Sequence, residues 1–204
     1  MNFLGLFVSF GLLIIAMSVH EFSHGWVAYK LGDPTAKYSG RLTLNPLAHI
    51  DPIGTVLLPL FLFIATSGRF VFGAAKPVPI SYWHLKNPKR DIIWIGLAGP
   101  LSNFIFAFLL SLITKIISPF ALLSFILRQL AFINIVLGVF NLIPIPPLDG
   151  SRIVTGILPD RLARNYVSIE RFGFIIIIGL IATGFFNFLV WPMVRLISSF
   201  LGVY

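Results

Sequence analysis

Residues 1–28 read MNFLGLFVSFGLLIIAMSVHEFSHGWVA, and the first twenty hold no Asp, Glu, Lys or Arg. A helix of about 20 such residues crosses a bilayer. The stretch has neither the basic start nor the small-residue cleavage site of a signal peptide, so it reads as a retained helix over about residues 3–28. The whole chain shares its character. Hydrophobic residues make up 57% of the 204 positions, charged residues 11% and Phe 21 positions, and mean hydropathy is +0.95. A soluble domain carries roughly 25% charged residues, so the composition excludes a water-soluble globule.

Further apolar stretches lie at about 52–66, 91–113, 119–143 and 172–192. The expected fold is an all-α polytopic membrane protein with about four to five transmembrane helices. The 52–66 stretch is short and broken by Pro59, which suits a re-entrant segment. Arg41-Leu42-Thr43-Leu44-Asn45 alternates polar and apolar residues, the pattern of a short strand, so a short membrane-associated β element is expected there. The alternative for 41–45 is an interfacial loop. The polar segments between the apolar ones are each shorter than the ~50 residues of an independent domain. A single integral-membrane domain over 1–204, with no appended soluble domain, is the expectation.

The formal charge is +8, but uncharged runs separate the basic residues. That spacing points to positive loops on an anionic bilayer face and to no nucleic-acid partner. There is no cysteine, so any metal must be held by His, Asp or Glu.

His20-Glu21-Phe22-Ser23-His24 is HExxH. On a helix, residues i and i+4 lie about 40° apart, so both imidazoles can reach one metal. Glu21 can then face a water on that metal as general base. Ionisable side chains inside an apolar helix are costly and mark function, and here three fall within five positions. Zinc hydrolases use a third protein ligand and keep one position for water. The candidates are His49, His84 and the few acids. Asp149 is the best placed, because Asn141-Leu-Ile-Pro-Ile-Pro-Pro-Leu-Asp149-Gly150 must leave its helix and run extended to a turn. Asp149 could equally open the following helix. Asn141 reads either as the polar end of its helix or as a donor to the substrate carbonyl or oxyanion.

HEFSH, Ala98-Gly99-Pro100-Leu101-Ser102-Asn103 and NLIPIPPLDG, in that order, resemble the site-2 protease family of intramembrane zinc metalloproteases over roughly residues 15–155. The resemblance implies one Zn2+ per chain on His20, His24 and Asp149, with Glu21 as catalytic base and Asn141 at the active site. It implies cleavage of transmembrane segments of other membrane proteins, by a compact type without PDZ or CBS domains. Ala98, Gly99 and Pro100 read as small or kinked packing positions, or as substrate contacts. His49 reads as an interfacial or packing residue, with a transient metal or gating ligand as the alternative, and His84 as a headgroup-level one.

A shared metal puts His24 and Asp149 at one membrane face, which demands an even number of crossings between them. Three apolar stretches intervene, so one does not cross, and 52–66 is the candidate. Twelve Lys and Arg then fall on one side against three on the other (Lys115, Arg128, Arg195); if 52–66 crosses, the division is nine against six. The positive-inside rule prefers the first arrangement, with the active site opening toward the cytoplasm of a multi-pass cell-membrane protein. The competing function, a membrane metal transporter or metal-binding protein, calls for inverted repeats and carboxylates on several helices. The sequence shows neither. Substrate identity and oligomeric state are open at this stage.

Overall fold

A computed structural model describes residues 3–65, 73, 75–117 and 121–203. Arg69, one of the twelve cations counted above, and positions 119–120 of the fourth apolar stretch lie outside the described residues.

Among the described residues, three helices are long and apolar enough to cross a membrane: Phe7–Lys30 within α1 (Phe3–Lys30), α4 (Pro88–Ile116), and Leu122–Asn141 within α5 (Ala121–Asn141). α4 begins where the sequence can begin a helix. Pro88 needs no N–H in the first turn, and the Asp91 carboxylate accepts the Asn87 N–H at 2.9 Å. α1 packs on α4, and α4 on α5. Leu12 and Ala16 of α1, Ala107 and Leu110 of α4, and Ala131, Ile135 and Val139 of α5 form their shared core. The opposite face of α4 exposes Leu101, Ile105, Phe108 and Leu112, a helical apolar stripe that suits hydrocarbon rather than water.

Between α1 and α4 the chain forms α2 (Thr35–Tyr38), a 3-10 turn at Pro46–His49, a π-helical stretch at Pro52–Leu57 running into α3 (Leu58–Ala65), and a 3-10 turn at Tyr82–His84. Among the described residues, the 52–65 element is shorter than a membrane span. After α5 come α6 (Asp149–Ile157), α7 (Asp160–Val167), α8 (Glu170–Ala182) and α9 (Phe185–Leu201).

Two expectations are corrected. Among the described residues there is no strand, and 41–45 is a loop. Its backbone is spent locally: the Arg41 and Leu42 N–H groups donate to Ala36 O at 2.8 and 3.1 Å, and Asn45 N–H donates to Thr43 Oγ1. Five alternating residues cannot make a strand without a partner edge. The second concerns the apolar 172–192 stretch, which is no single helix, so that three spans, or four with a bent pair, are seen among the described residues. Gly184 adopts φ +77° between α8 and α9, the left-handed conformation that ends a helix, and leaves helices of 13 and 17 residues. The fourth span would join Asp160–Gly173 to Ile175–Ala182 across a 69° bend.

Candidate metal centre

His20 and His24 lie one turn apart on α1, and their imidazoles point at α4 where that helix carries Gly99. A Cβ built on Gly99 would stand 2.4 Å from His24 Nε2 and 2.5 Å from His20 Cε1. Glycine is therefore what lets the α4 backbone pass this close, a packing role for Gly99. Asp149 comes from the chain that follows α5, whose last residue, Asn141, already lies at the site. The chain leaves α5 at Asn141, runs through the proline-rich stretch with Leu148 extended (ψ 155°), and restarts at Asp149 as the first residue of α6. Gly150 permits the restart, since a Cβ there would lie 2.3 Å from Leu142 O. Of the two readings of Asp149, a turn or the start of the following helix, the second is the one seen, and from that position it meets the histidines.

The three side chains are buried and converge. Asp149 Oδ2 lies 2.9 Å from His20 Nε2 and 3.1 Å from His24 Nε2, and the two Nε2 atoms are 3.1 Å apart. Whether these contacts are hydrogen bonds depends on where the ring protons sit, and the neighbours decide that. His24 Nδ1 is 2.6 Å from the carbonyl of Ile95, which can only accept, so the proton is on Nδ1. His20 Nδ1 is 2.6 Å from Asn103 Oδ1. The orientation of that amide is fixed because Asn103 Nδ2 donates to Asn134 Oδ1 at 2.7 Å, while Asn134 Nδ2 donates to Leu130 O at 2.8 Å. His20 therefore carries its proton on Nδ1 too. Two imidazole lone pairs and a carboxylate oxygen face one another in a buried space. One proton can relieve a single edge of that triangle; a divalent cation relieves all three. The separations are close to the ~3.3 Å between ligand atoms held 2.0–2.1 Å from a tetrahedral zinc.

The outer contacts have the form that metal sites use to orient ligands. Both histidines donate their second N–H to an oxygen. Arg152 Nη1, one turn into α6, holds the other Asp149 oxygen, Oδ1, at 3.2 Å and leaves Oδ2 for the cluster. A cavity of about 120 Å³ opens beside the ligands and is lined by Glu21 and Asn141 as well as by Pro77, Val78, Pro147 and Arg152. Glu21 is half-buried, and its Oε2 accepts the Val78 N–H at 2.8 Å. Asn141 Nδ2 donates to Leu137 O at 3.1 Å.

His49 and His84 stand apart from this group. His49 is buried and donates from Nε2 to Thr43 O at 2.8 Å, a packing role as expected. His84 is half-exposed and lies 3.2 Å from Asp33 Oδ1. Sequence reasoning missed Arg152, Asn134 and Val78 altogether. Asn103 and Asn134 did carry a signal: an amide inside an apolar helix needs a partner, and here each is the other's.

Residues 113–186 match peptidase family M50. YwhC of Bacillus subtilis is 38% identical over 192 residues, covering 90% of this chain and 84% of that protein. Rip2 of Mycolicibacterium smegmatis is 31% identical, covering 93% and 72%. The chain belongs to peptidase family M50. A more distant M50 relative, 31% identical over 76% of this chain but 35% of its own length, is the zinc metalloprotease MJ0392 of Methanocaldococcus jannaschii. No solved structure matches the chain. Two imidazoles and one carboxylate, with a cavity on the open side, are the ligand set of a catalytic zinc, so the geometry of this M50 member fits the metal that its family relatives are named for.

Proposed function

We propose that the protein is an intramembrane zinc endopeptidase that cleaves transmembrane segments of other membrane proteins. One observation carries the reading: three inward-facing ligand atoms and a separate carboxylate, Glu21, share a cavity inside apolar helices. His24 precedes the basic end of α1, Lys30, by six residues, which is about 9 Å at 1.5 Å per residue. Peptide bonds within a bilayer, rather than those of soluble substrates, come to that depth.

Zinc held by His20, His24 and Asp149 supplies Lewis acidity toward a water and the scissile carbonyl. The protein's own groups do the rest. Glu21 takes the proton from the water and passes it to the leaving nitrogen. Asn141, in the same cavity, has an amide N–H available to the developing oxyanion. Arg152 keeps Asp149 turned toward the metal.

The site opens on the cytoplasmic face in this reading. Supporting it, the end of α1 and the start of α4 lie together at the site, as the contact of His24 with Ile95 requires, so the chain between them starts and finishes at one end of the bundle. That end carries Lys30 and Lys37 over the rings of Trp26 and Tyr29, at 5.6 and 4.9 Å, and fully exposes Trp83. Aromatic and basic residues mixed in this way are typical of a bilayer interface.

The test is to co-express wild type or Glu21→Gln with a panel of single-span membrane proteins. Cleavage products seen only with wild type support the reading; identical patterns with both reject it.

A further inference from the structure

The stretch Ala75–Ile80 belongs to no helix, yet it touches the one carboxylate assigned to proton transfer. The Val78 N–H donates to Glu21 Oε2 at 2.8 Å. Its side chain is buried, 5% exposed, and sits against Gly25, one turn beyond Glu21 on α1. A Cβ on Gly25 would lie 3.1 Å from Val78 Cγ1, 3.2 Å from Ala36 Cβ and 3.4 Å from Leu42 Cδ1. The bare Gly25 backbone thus makes the notch that lets the stretch approach α1 closely enough for its amide to reach the carboxylate.

The stretch is pinned on both sides of Val78. Lys76 N–H donates to His49 O at 2.9 Å, and Arg41 Nη2 donates to Lys76 O at 3.2 Å. Beyond it, Ser81 N–H donates to Asp33 Oδ2 at 2.7 Å. Pro77 and Pro79 flank Val78. Neither has an N–H, and each fixes its own φ, so Val78 is the only backbone donor of the triplet and stands on a stiff support.

We propose that Val78 is a positioning residue for the catalytic base, a reading that rests on Glu21 being that base. Its N–H takes up Oε2 and holds the carboxylate in one orientation, leaving Oε1 to receive the proton. A free glutamate has several rotamers in reach, and ordering it during each turnover would slow the transfer. A charge-assisted hydrogen bond from a fixed backbone donor removes that disorder beforehand. The ties at 76 and 81, the buried side chain and the prolines mark an element built to stay in place, which distinguishes it from a lid that must leave before substrate enters.

The test removes one hydrogen. Replacing Val78 by α-hydroxyisovaleric acid turns its amide into an ester and keeps the side chain in the Gly25 notch. Gly25→Val, which pushes the stretch away from α1, is the second variant. Each is assayed on a transmembrane substrate in detergent for kcat, KM and zinc content, and hydrogen exchange of the Val78 amide is followed in wild type and Glu21→Ala. The expected result is about one zinc per chain, KM within about twofold, and kcat lower by about 10–100-fold, the weight of one charge-assisted hydrogen bond. On a Glu21→Asp background, whose shorter carboxylate does not reach Val78, the same changes should cost less than about threefold, because the two residues act as one unit. Exchange of the Val78 amide should quicken in Glu21→Ala. A kcat within twofold of wild type, or an equal loss on both backgrounds, overturns the proposal, and faster cleavage overturns it in favour of a lid. If Glu21→Gln cleaves like wild type, the base assignment itself fails. If Glu21→Gln is inactive while the ester is fully active, only the role of Val78 fails.

Discussion

Asp149 Oδ2 and His20 Nε2 stand 2.9 Å apart although 129 residues separate them in the chain. With its proton held on Nδ1 by Asn103, a neutral His20 has none on Nε2 to offer Asp149. Their closeness is unfavourable without a cation, so the site's geometry and its metal content depend on each other. Asp149→Ala should therefore lower zinc from about one per chain to well below half. Glu21→Gln should retain the metal and lose cleavage. Metal analysis of the purified variants separates the two roles.

Gly99→Ala places a methyl group where the imidazoles are, 2.4 Å from His24 Nε2. Neither ring can move without losing its partner, Ile95 O or Asn103. Zinc occupancy should fall as it does in His24→Ala. Gly11→Ala is the control, since a Cβ there meets nothing within 4 Å, and it should keep full occupancy.

Asn103→Leu removes the acceptor that fixes the His20 tautomer. Loss of such an outer partner weakens metal binding about 10–100-fold. Asn134→Leu removes a contact one step further out and should have a smaller effect in the same direction. Competition with a chelator of known affinity measures both.

Asp33 is fully buried in the loop beyond Lys30. Burial works against its charge, but the Thr35 hydroxyl, the backbone N–H groups of Ser81 and Thr35, and His84 together hold its carboxyl below the usual carboxylate range. A lowered value means stability that is complete above about pH 4, the unfolded value, and is lost as pH falls through the folded one. Asp33→Ala should cost about 2–3 kcal/mol at neutral pH. The gap from wild type should narrow as pH drops below about 4, as measured by thermal unfolding across pH.

Cysteines introduced at Lys37 and Lys86 test which side of the membrane the site faces. Both should react with an impermeant thiol reagent from the cytoplasmic side. Labelling from opposite sides would contradict the shared end of α1 and α4.

The three side chains that converge were legible because their signals are local. His20 and His24 share a helix face by their spacing alone, and the prolines before Asp149 forbid a continuous helix. The resemblance then joined two segments that no periodicity connects. Features that depend on tertiary neighbours were not legible. The 41–45 alternation looked like a strand, but Ala36 O lies near enough to take two of its donors. The 172–192 run holds no charged residue, and the φ of Gly184 shows that it breaks. Arg152 is an ordinary cation in sequence; its contact with Asp149 Oδ1 is a property of the first turn of α6. Val78 looks like any valine between prolines until α1 is laid beside it.

Those prolines have an outward effect as well. In an extended chain, alternate residues present their backbone groups to opposite edges. Lys76 and Val78 have both committed their N–H groups, to His49 and Glu21. Pro77 and Pro79 offer carbonyls and no N–H. A ladder needs both, so a passing chain finds the pattern interrupted at each proline. The segment beside the catalytic cavity is thereby a poor template for pairing between copies in a crowded bilayer. An unwound substrate reaching these prolines finds acceptors for its N–H groups but none of the donors its own carbonyls require.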